Sequence, residues 1–194
     1  MNDYSNFSLE QLLRHAQDRE AWYWIGVAYL GRQEFNNAIP WLERTMNDKG
    51  NEWSEKAMQN LGILHKGGFH PHSSKDAALA LFEKSSRLIL SRLYAGFLYF
   101  DGTETEHDIA KGKEYIEAAI EQLIKLKGND KNLSQADCYD IGWVYYKENN
   151  GKAYSWFDKC IERCDTDYAS DRNLIELAKR CIGVLQRDGI ARIS

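Results

Sequence analysis

The sequence predicts an all-α fold: a right-handed α-solenoid of about four antiparallel helix-turn-helix repeats with N- and C-terminal capping helices. Three observations predict it. A short phrase ending in glycine recurs as Ala21-Trp-Tyr-Trp-Ile25-Gly26, Ala57-Met-Gln-Asn-Leu61-Gly62, Ser91-Arg-Leu-Tyr-Ala95-Gly96, Asp137-Cys-Tyr-Asp-Ile141-Gly142 and Ala178-Lys-Arg-Cys-Ile182-Gly183. Its glycines lie 36, 34, 46 and 41 residues apart, a period typical of stacked helical hairpins. Each of the first four phrases is followed by a second apolar pattern: Ala38-Ile-Pro-Trp41-Leu42-Glu43, Ala78-Leu-Ala-Leu81-Phe82-Glu83, Gly112-Lys-Glu-Tyr115-Ile116-Glu117 and Ala153-Tyr-Ser-Trp156-Phe157-Asp158. The chain is read as one domain over residues 1–194, because charged residues recur throughout and only 2 prolines occur, so no stretch reads as disordered.

The first element is a capping helix over residues 8–20. Ser8-Leu-Glu-Gln11 is a capping-box pattern, and Leu9, Leu12, Leu13 and Ala16 give it an apolar face. Repeat 1 spans 20–48. Its helix A carries Trp22, Ile25, Gly26 and Tyr29 at i, i+3, i+4 and i+7, and its helix B begins near Asn36 or Asn37. With that start Pro40 lies in the first turn, where a missing N–H is tolerated; an earlier start predicts a kink.

Repeat 2 (52–88) and repeat 3 (89–127) have longer turns between helices A and B, Lys66–Lys75 and Asp101–Asp108. The distance from the glycine to the small residue of helix B is 16 in both, against 12 in repeat 1 and 11 in repeat 4. Repeat 4 (134–165) follows a polar connection, Lys125–Asn132, read as an irregular loop or a slight break. The last helix, 170–188, presents Leu174, Leu177, Ala178, Cys181, Ile182 and Leu185 on one face and stops near Gly189. It reads as a lone helix A.

The small residues have a physical reading. Glycine inside a helix costs about 1 kcal/mol against alanine, so its recurrence at one phase implies that two backbones approach closely there. The large residue three positions after each small one is expected to fill the space beside the contact.

These residues resemble known repeat families. Repeat 1, with Trp22, Gly26, Tyr29 and Ala38, looks like a tetratricopeptide repeat. Ala57-x3-Leu61-Gly62-x4-Gly67 followed by Asp76-Ala-Ala-Leu-Ala-Leu-Phe-Glu-Lys resembles a Sel1-like repeat. Gly112, where the other repeats have Ala, and Asp137 at the start of repeat 4 depart from the pattern. The resemblance implies a scaffold that binds proteins. It further implies a bacterial immunity protein that neutralises a cognate toxin or effector. The alternatives are an adaptor or chaperone for a secretion or regulatory system, and a metal-dependent enzyme or sensor. Chaperone C-termini are captured in some tetratricopeptide domains by inward Lys and Asn; Tyr23 and Val27 at the matching positions disfavour that mode.

In such an array helices A line the inner wall. Positions three before and one after each glycine are expected to face the partner: Tyr23 and Val27, Gln59 and Ile63, Leu93 and Phe97, Tyr139 and Trp143. One turn on come Leu30, Lys66, Phe100 and Tyr146. The second half of this wall is aromatic, as binding hot spots often are; any one such residue can instead serve as packing between repeats, but the group favours a binding face.

Other chemistry is weakly indicated. Cys160 and Cys164 share a helix face and fit either one metal or two small buried packing residues; without a Cys-x-x-Cys pair the second reading is preferred. Cys138 and Cys181 sit at packing positions. His70-Pro71-His72, with His65 nearby, reads as a solvent-exposed loop or a partner contact. Glu104 and Glu106 read as exposed loop carboxylates. No phosphate loop or Gly-x-Ser-x-Gly elbow occurs. The sequence therefore predicts no enzyme, no cofactor and no bound metal. A net charge of −4 argues against nucleic acid. The longest strongly apolar run, Leu93–Phe100, is too short for a membrane span. A cytoplasmic monomer or weak homodimer with a protein partner is expected, its four cysteines reduced.

Overall fold

The computed structural model describes residues 3–103, 107–129, 133–147, 150–163 and 169–193. Among them it contains ten helices and no strand: α1 Leu9–Arg14, α2 Ala21–Gly31, α3 Phe35–Asn47, α4 Ser54–Lys66, α5 Lys75–Lys84, α6 Ile89–Asp101, α7 Ile109–Lys127, α8 Gln135–Lys147, α9 Lys152–Glu162 and α10 Ala169–Arg187. The fold is all-α, with neighbours in sequence packed as neighbours in space. The chain divides into two compact units, Met1–Ala119 and Ile120–Ser194, with the division inside α7. Glu104, Glu106, Cys164 and the end of the 125–132 connection lie outside the described residues.

Local chemistry sets the ends of several helices. The Ser8 side chain accepts from the Gln11 amide and the Gln11 side chain accepts from the Ser8 amide, closing the expected capping box at α1. Ser74 Oγ accepts from the Ala77 amide and starts α5. At the end of α10 the amides of Gly189 and Ile190 donate to the carbonyls of Gln186 and Leu185, with Gly189 at φ +72°. That is a Schellman stop. The same pair of bonds ends α4 at Gly68 (φ +77°) and ends α2 at Gln33 (φ 59°). Gln33 therefore holds a left-handed conformation without being glycine.

Helix α3 starts at Phe35, earlier than expected, and Pro40 falls in its second turn. The Asn36 carbonyl thereby loses its helical donor. Asn36 and Pro40 are both exposed, so water can serve that carbonyl.

The A helices close on the B helices through their glycines. A Cβ built on Gly26 would lie 2.8 Å from Leu42 Cδ2; on Gly62, 2.7 Å from Phe82 Cε1; on Gly96, 2.4 Å from Ile116 Cγ1; on Gly142, 2.8 Å from Phe157 Cδ1. The close approach is present, but the filling residue is a correction to the sequence reading. It stands four positions after the small residue of helix B, not three, and Leu42, Phe82, Ile116 and Phe157 are all 0% exposed. The residues three positions on, Trp41, Leu81, Tyr115 and Trp156, are only half-buried. An i+4 side chain leans back over the preceding turn, which brings it onto the glycine. One turn further, Thr45, Ser85, Ala119 and Cys160 are fully buried and small.

Gly112 has its own reason. A Cβ there would lie 2.9 Å from the Gly96 carbonyl oxygen. Backbone meets backbone, and alanine, tolerated at the same place in the other hairpins, does not fit.

Two further features shape the ends of the chain. Tyr4 is 2% exposed, donates to Asp18 Oδ2 at 2.6 Å, and packs with Leu12, Ala21 and Ile25. In the second unit, residues 190–193 run back along α9: Tyr154 donates to the Ile190 carbonyl at 3.1 Å, and Arg192 pairs with Asp158 at 2.7 Å. A Cβ on Gly151 would lie 1.8 Å from the Ala191 oxygen, so glycine is what admits this strap.

Candidate functional site

The expected wall residues divide by burial. In the first unit Tyr23 and Leu93 are 9% and 8% exposed, so they belong to the core rather than to an open face. The Tyr23 ring lies parallel to that of Trp53, 5.1 Å between centroids, and Trp24 meets Trp53 edge-on at 5.0 Å. Burial raises the Tyr23 phenol pKa. Val27 and Leu30 are half-buried against the same cluster, with Ile39 and Leu42.

Gln59 is spent on packing: its Nε2 donates to Ser91 Oγ at 3.1 Å, which also receives Ser85 Oγ at 2.8 Å. Three helices, α4, α5 and α6, thus share one buried polar knot, as unsatisfied polar groups would be costly there. Ile63 packs partly buried beside Ala78, Leu79 and Phe82. Lys66 is exposed, with its ammonium 5.2 Å above the Tyr94 ring. Phe97 and Phe100 are half-buried, and Phe100 covers Gly112.

In the second unit Tyr139, Trp143 and Tyr146 are half-buried on α8. The Tyr139 and Tyr146 rings stand 5.8 and 6.4 Å from Phe157. Lys147 lies 4.9 Å over the Trp143 ring. Burial, then the neighbouring Cys181 and Asp140, pushes the Tyr139 phenol up to about 12. Asp140 is pushed up to about 6, by burial first and by Asp137 second.

The sequence reading missed several groups. Trp53 precedes α4, where no helical period marks it. A four-member polar cluster joins α5, α6 and α7: Tyr99 donates to Glu83 Oε1 at 2.5 Å, Lys111 meets both the Tyr99 hydroxyl and Glu83 (3.2 Å to the latter), and Tyr115 donates to Glu83 at 3.4 Å. Burial, with Glu83 beside it, lifts Tyr99 to about 12. Burial works to raise Glu83, yet Tyr99 and Lys111 together hold it below its usual value.

The histidines are a correction. The turn is not a solvent-exposed loop at His70, whose side chain is 9% exposed. Its ring stacks on His65 with 3.9 Å between centroids, and Phe69 lies 4.5 Å from Phe35. His72 is exposed. Cys138 and Cys160 are buried and Cys181 is half-buried, none of them in a disulfide. Arg163 donates to Cys138 Sγ at 2.8 Å and to the Leu133 carbonyl at 3.0 Å. Burial raises the Cys138 and Cys181 thiols, which makes them poor nucleophiles. Among the described residues no group of three or more His, Cys, Asp or Glu is placed to hold a metal ion, and no helix is long and apolar enough to cross a membrane.

Two clefts of the first unit lie away from the expected wall. One, of about 480 Å³, is lined by Met46, Asn51, Glu55, Met58, Lys84 and Arg87 among others. Its charges are mixed, and Arg87 is already paired with Glu55. The other, of about 460 Å³, lies between the α2–α3 turn and Phe69.

Compared with family models, curated proteins and solved structures, the chain has no significant match in any of the three.

Proposed function

We propose that the chain is a right-handed α-solenoid of four hairpins with capping helices, and that it works as a non-enzymatic module binding a protein partner on its helix-A surface. One observation carries this reading. In α2, α4, α6 and α8 the glycine is buried against helix B, while the residue after it (Val27, Ile63, Phe97, Trp143) stays partly exposed. Closing each hairpin therefore leaves a large apolar side chain at a repeated position. Large, rigid side chains of this kind supply contact area at small entropic cost.

The partner class to test first is the one the family resemblance implies, a toxin or effector domain. The tagged chain would be used to capture partners from its native lysate, in parallel with Phe97→Ala/Phe100→Ala and Tyr139→Ala/Trp143→Ala variants. Circular dichroism would establish that each variant is folded. A partner held by the wild type and lost by a folded variant supports the helix-A surface. A partner held equally by both folded variants moves the site elsewhere, and absence of any partner counts against a binding module.

A further inference from the structure

We propose that the turn between α4 and α5 is an acid-released latch: protonation of His65, stacked on His70, frees residues 67–74 and lifts Phe69 off Phe35. The geometry of the two rings carries this. His65 Nδ1 is buried with no hydrogen-bond partner, so a proton there would be a charged donor without an acceptor. His70 Nδ1 accepts from the His72 amide at 3.1 Å, which fixes the ring that His65 stacks on. A charged His65 ring would face the His70 ring at 3.9 Å between centroids.

The groups bearing on His65 are His70 and His72 from the turn and Glu43 from α3. Glu43 Oε1 lies 3.8 Å from His70 Nε2 and works to raise His65, less strongly than burial and His70 lower it. Lys66, next along α4, turns instead to Tyr94 of α6. Burial first and His70 second hold the His65 pKa below its usual value, while a hydrogen bond to the His72 backbone works the other way.

The direction follows from linkage. The closed turn binds fewer protons than the open one, so closure is complete above the ordinary histidine value and is lost as pH falls toward the depressed one. Besides the stack, the Gly68 and Phe69 amides donate to the His65 and Leu64 carbonyls, the Ser73 amide and hydroxyl both donate to the His70 carbonyl, the His70 amide donates to Ser73 Oγ, and Phe69 rests on Phe35. Release would take Phe69 off Phe35 and remove one wall of the cleft beside it, enlarging the apolar surface in acid.

The test is amide hydrogen exchange at Phe69 and Ser73 between about pH 7.5 and about pH 5, reported as opening constants corrected for intrinsic rate. Opening is expected to rise up to about tenfold per pH unit below about 6.5, with α8 and α9 unchanged. His65→Phe keeps a ring in the stack and removes the titrating nitrogen; its turn should stay closed in acid. A pH-independent wild type, or a folded variant that opens as the wild type does, overturns the latch. Whether or not the variant folds, the wild-type His65 ring signal must titrate with the same midpoint as the Phe69 amide opens, and a different midpoint also overturns it.

Discussion

Gly96 and Gly183 end the same recurring phrase, yet they meet opposite surroundings. Around Gly96 a Cβ would strike Ile116 and the Gly112 carbonyl; around Gly183 nothing lies within 4 Å. The difference is the second helix. Helix α6 has α7 against its glycine face, whereas α10, the last helix, offers that position to solvent. At the position three before the glycine, Leu93 is buried and Arg180 is exposed. The phrase alone does not create a need for glycine, which arises only where a second helix closes on it.

The strongest way to break this comparison is to remove a filler. Phe82→Ala empties the space over Gly62 and should lose about 3–5 kcal/mol in denaturant unfolding. A loss under 1 kcal/mol, well below the usual range, would mean the contact is not tight. Gly96→Ala should lose about 1–3 kcal/mol through overpacking against backbone that cannot move aside. A neutral result would deny that closure requires glycine.

Asp140, beside the closed Gly142, sharpens the contrast between packed and open helices. Its folded carboxyl keeps its proton up to about 6, against an ordinary value of 3.8. The folded state binds more protons in that interval, so stability falls as pH rises from about 4 to about 6. Asp140→Asn should therefore gain about 1–2 kcal/mol at pH 7 and nothing below about pH 4; a pH-independent gain would refute the cause. The smallest effect is expected on the open side. Gly183→Ala should gain up to about 1 kcal/mol, because only helix propensity changes. Thermal melts would detect it, and a loss would show that the face of α10 is covered in solution.

Much of the architecture was legible because it is written in short-range terms. The glycine phrases, the Ser8 capping box, the Gly189 stop and the two long middle turns each depend on a few consecutive residues. What escaped depends on contacts between distant ones. Leu42 rather than Trp41 covers Gly26 because of side-chain direction on a neighbouring helix. The Glu83–Tyr99–Lys111–Tyr115 cluster draws on three helices. His70 is buried through a stack with His65 that polarity alone argues against, and Gln33 takes a left-handed conformation that its residue type does not announce. Of the expected wall, Tyr23 went to the core because its ring stacks on Trp53 ahead of the next helix, and Leu93 is buried on α6.

The glycine contacts also bear on how the chain acquires its structure. Each joins residues only about 15–20 apart, and short loops close quickly at small entropic cost. A ribosome adds about 5–20 residues per second, while a single helix forms within about a microsecond. The first hairpin can therefore be sampled as soon as its residues emerge, and it completes its core only when Trp53, Ala57 and Leu61 follow.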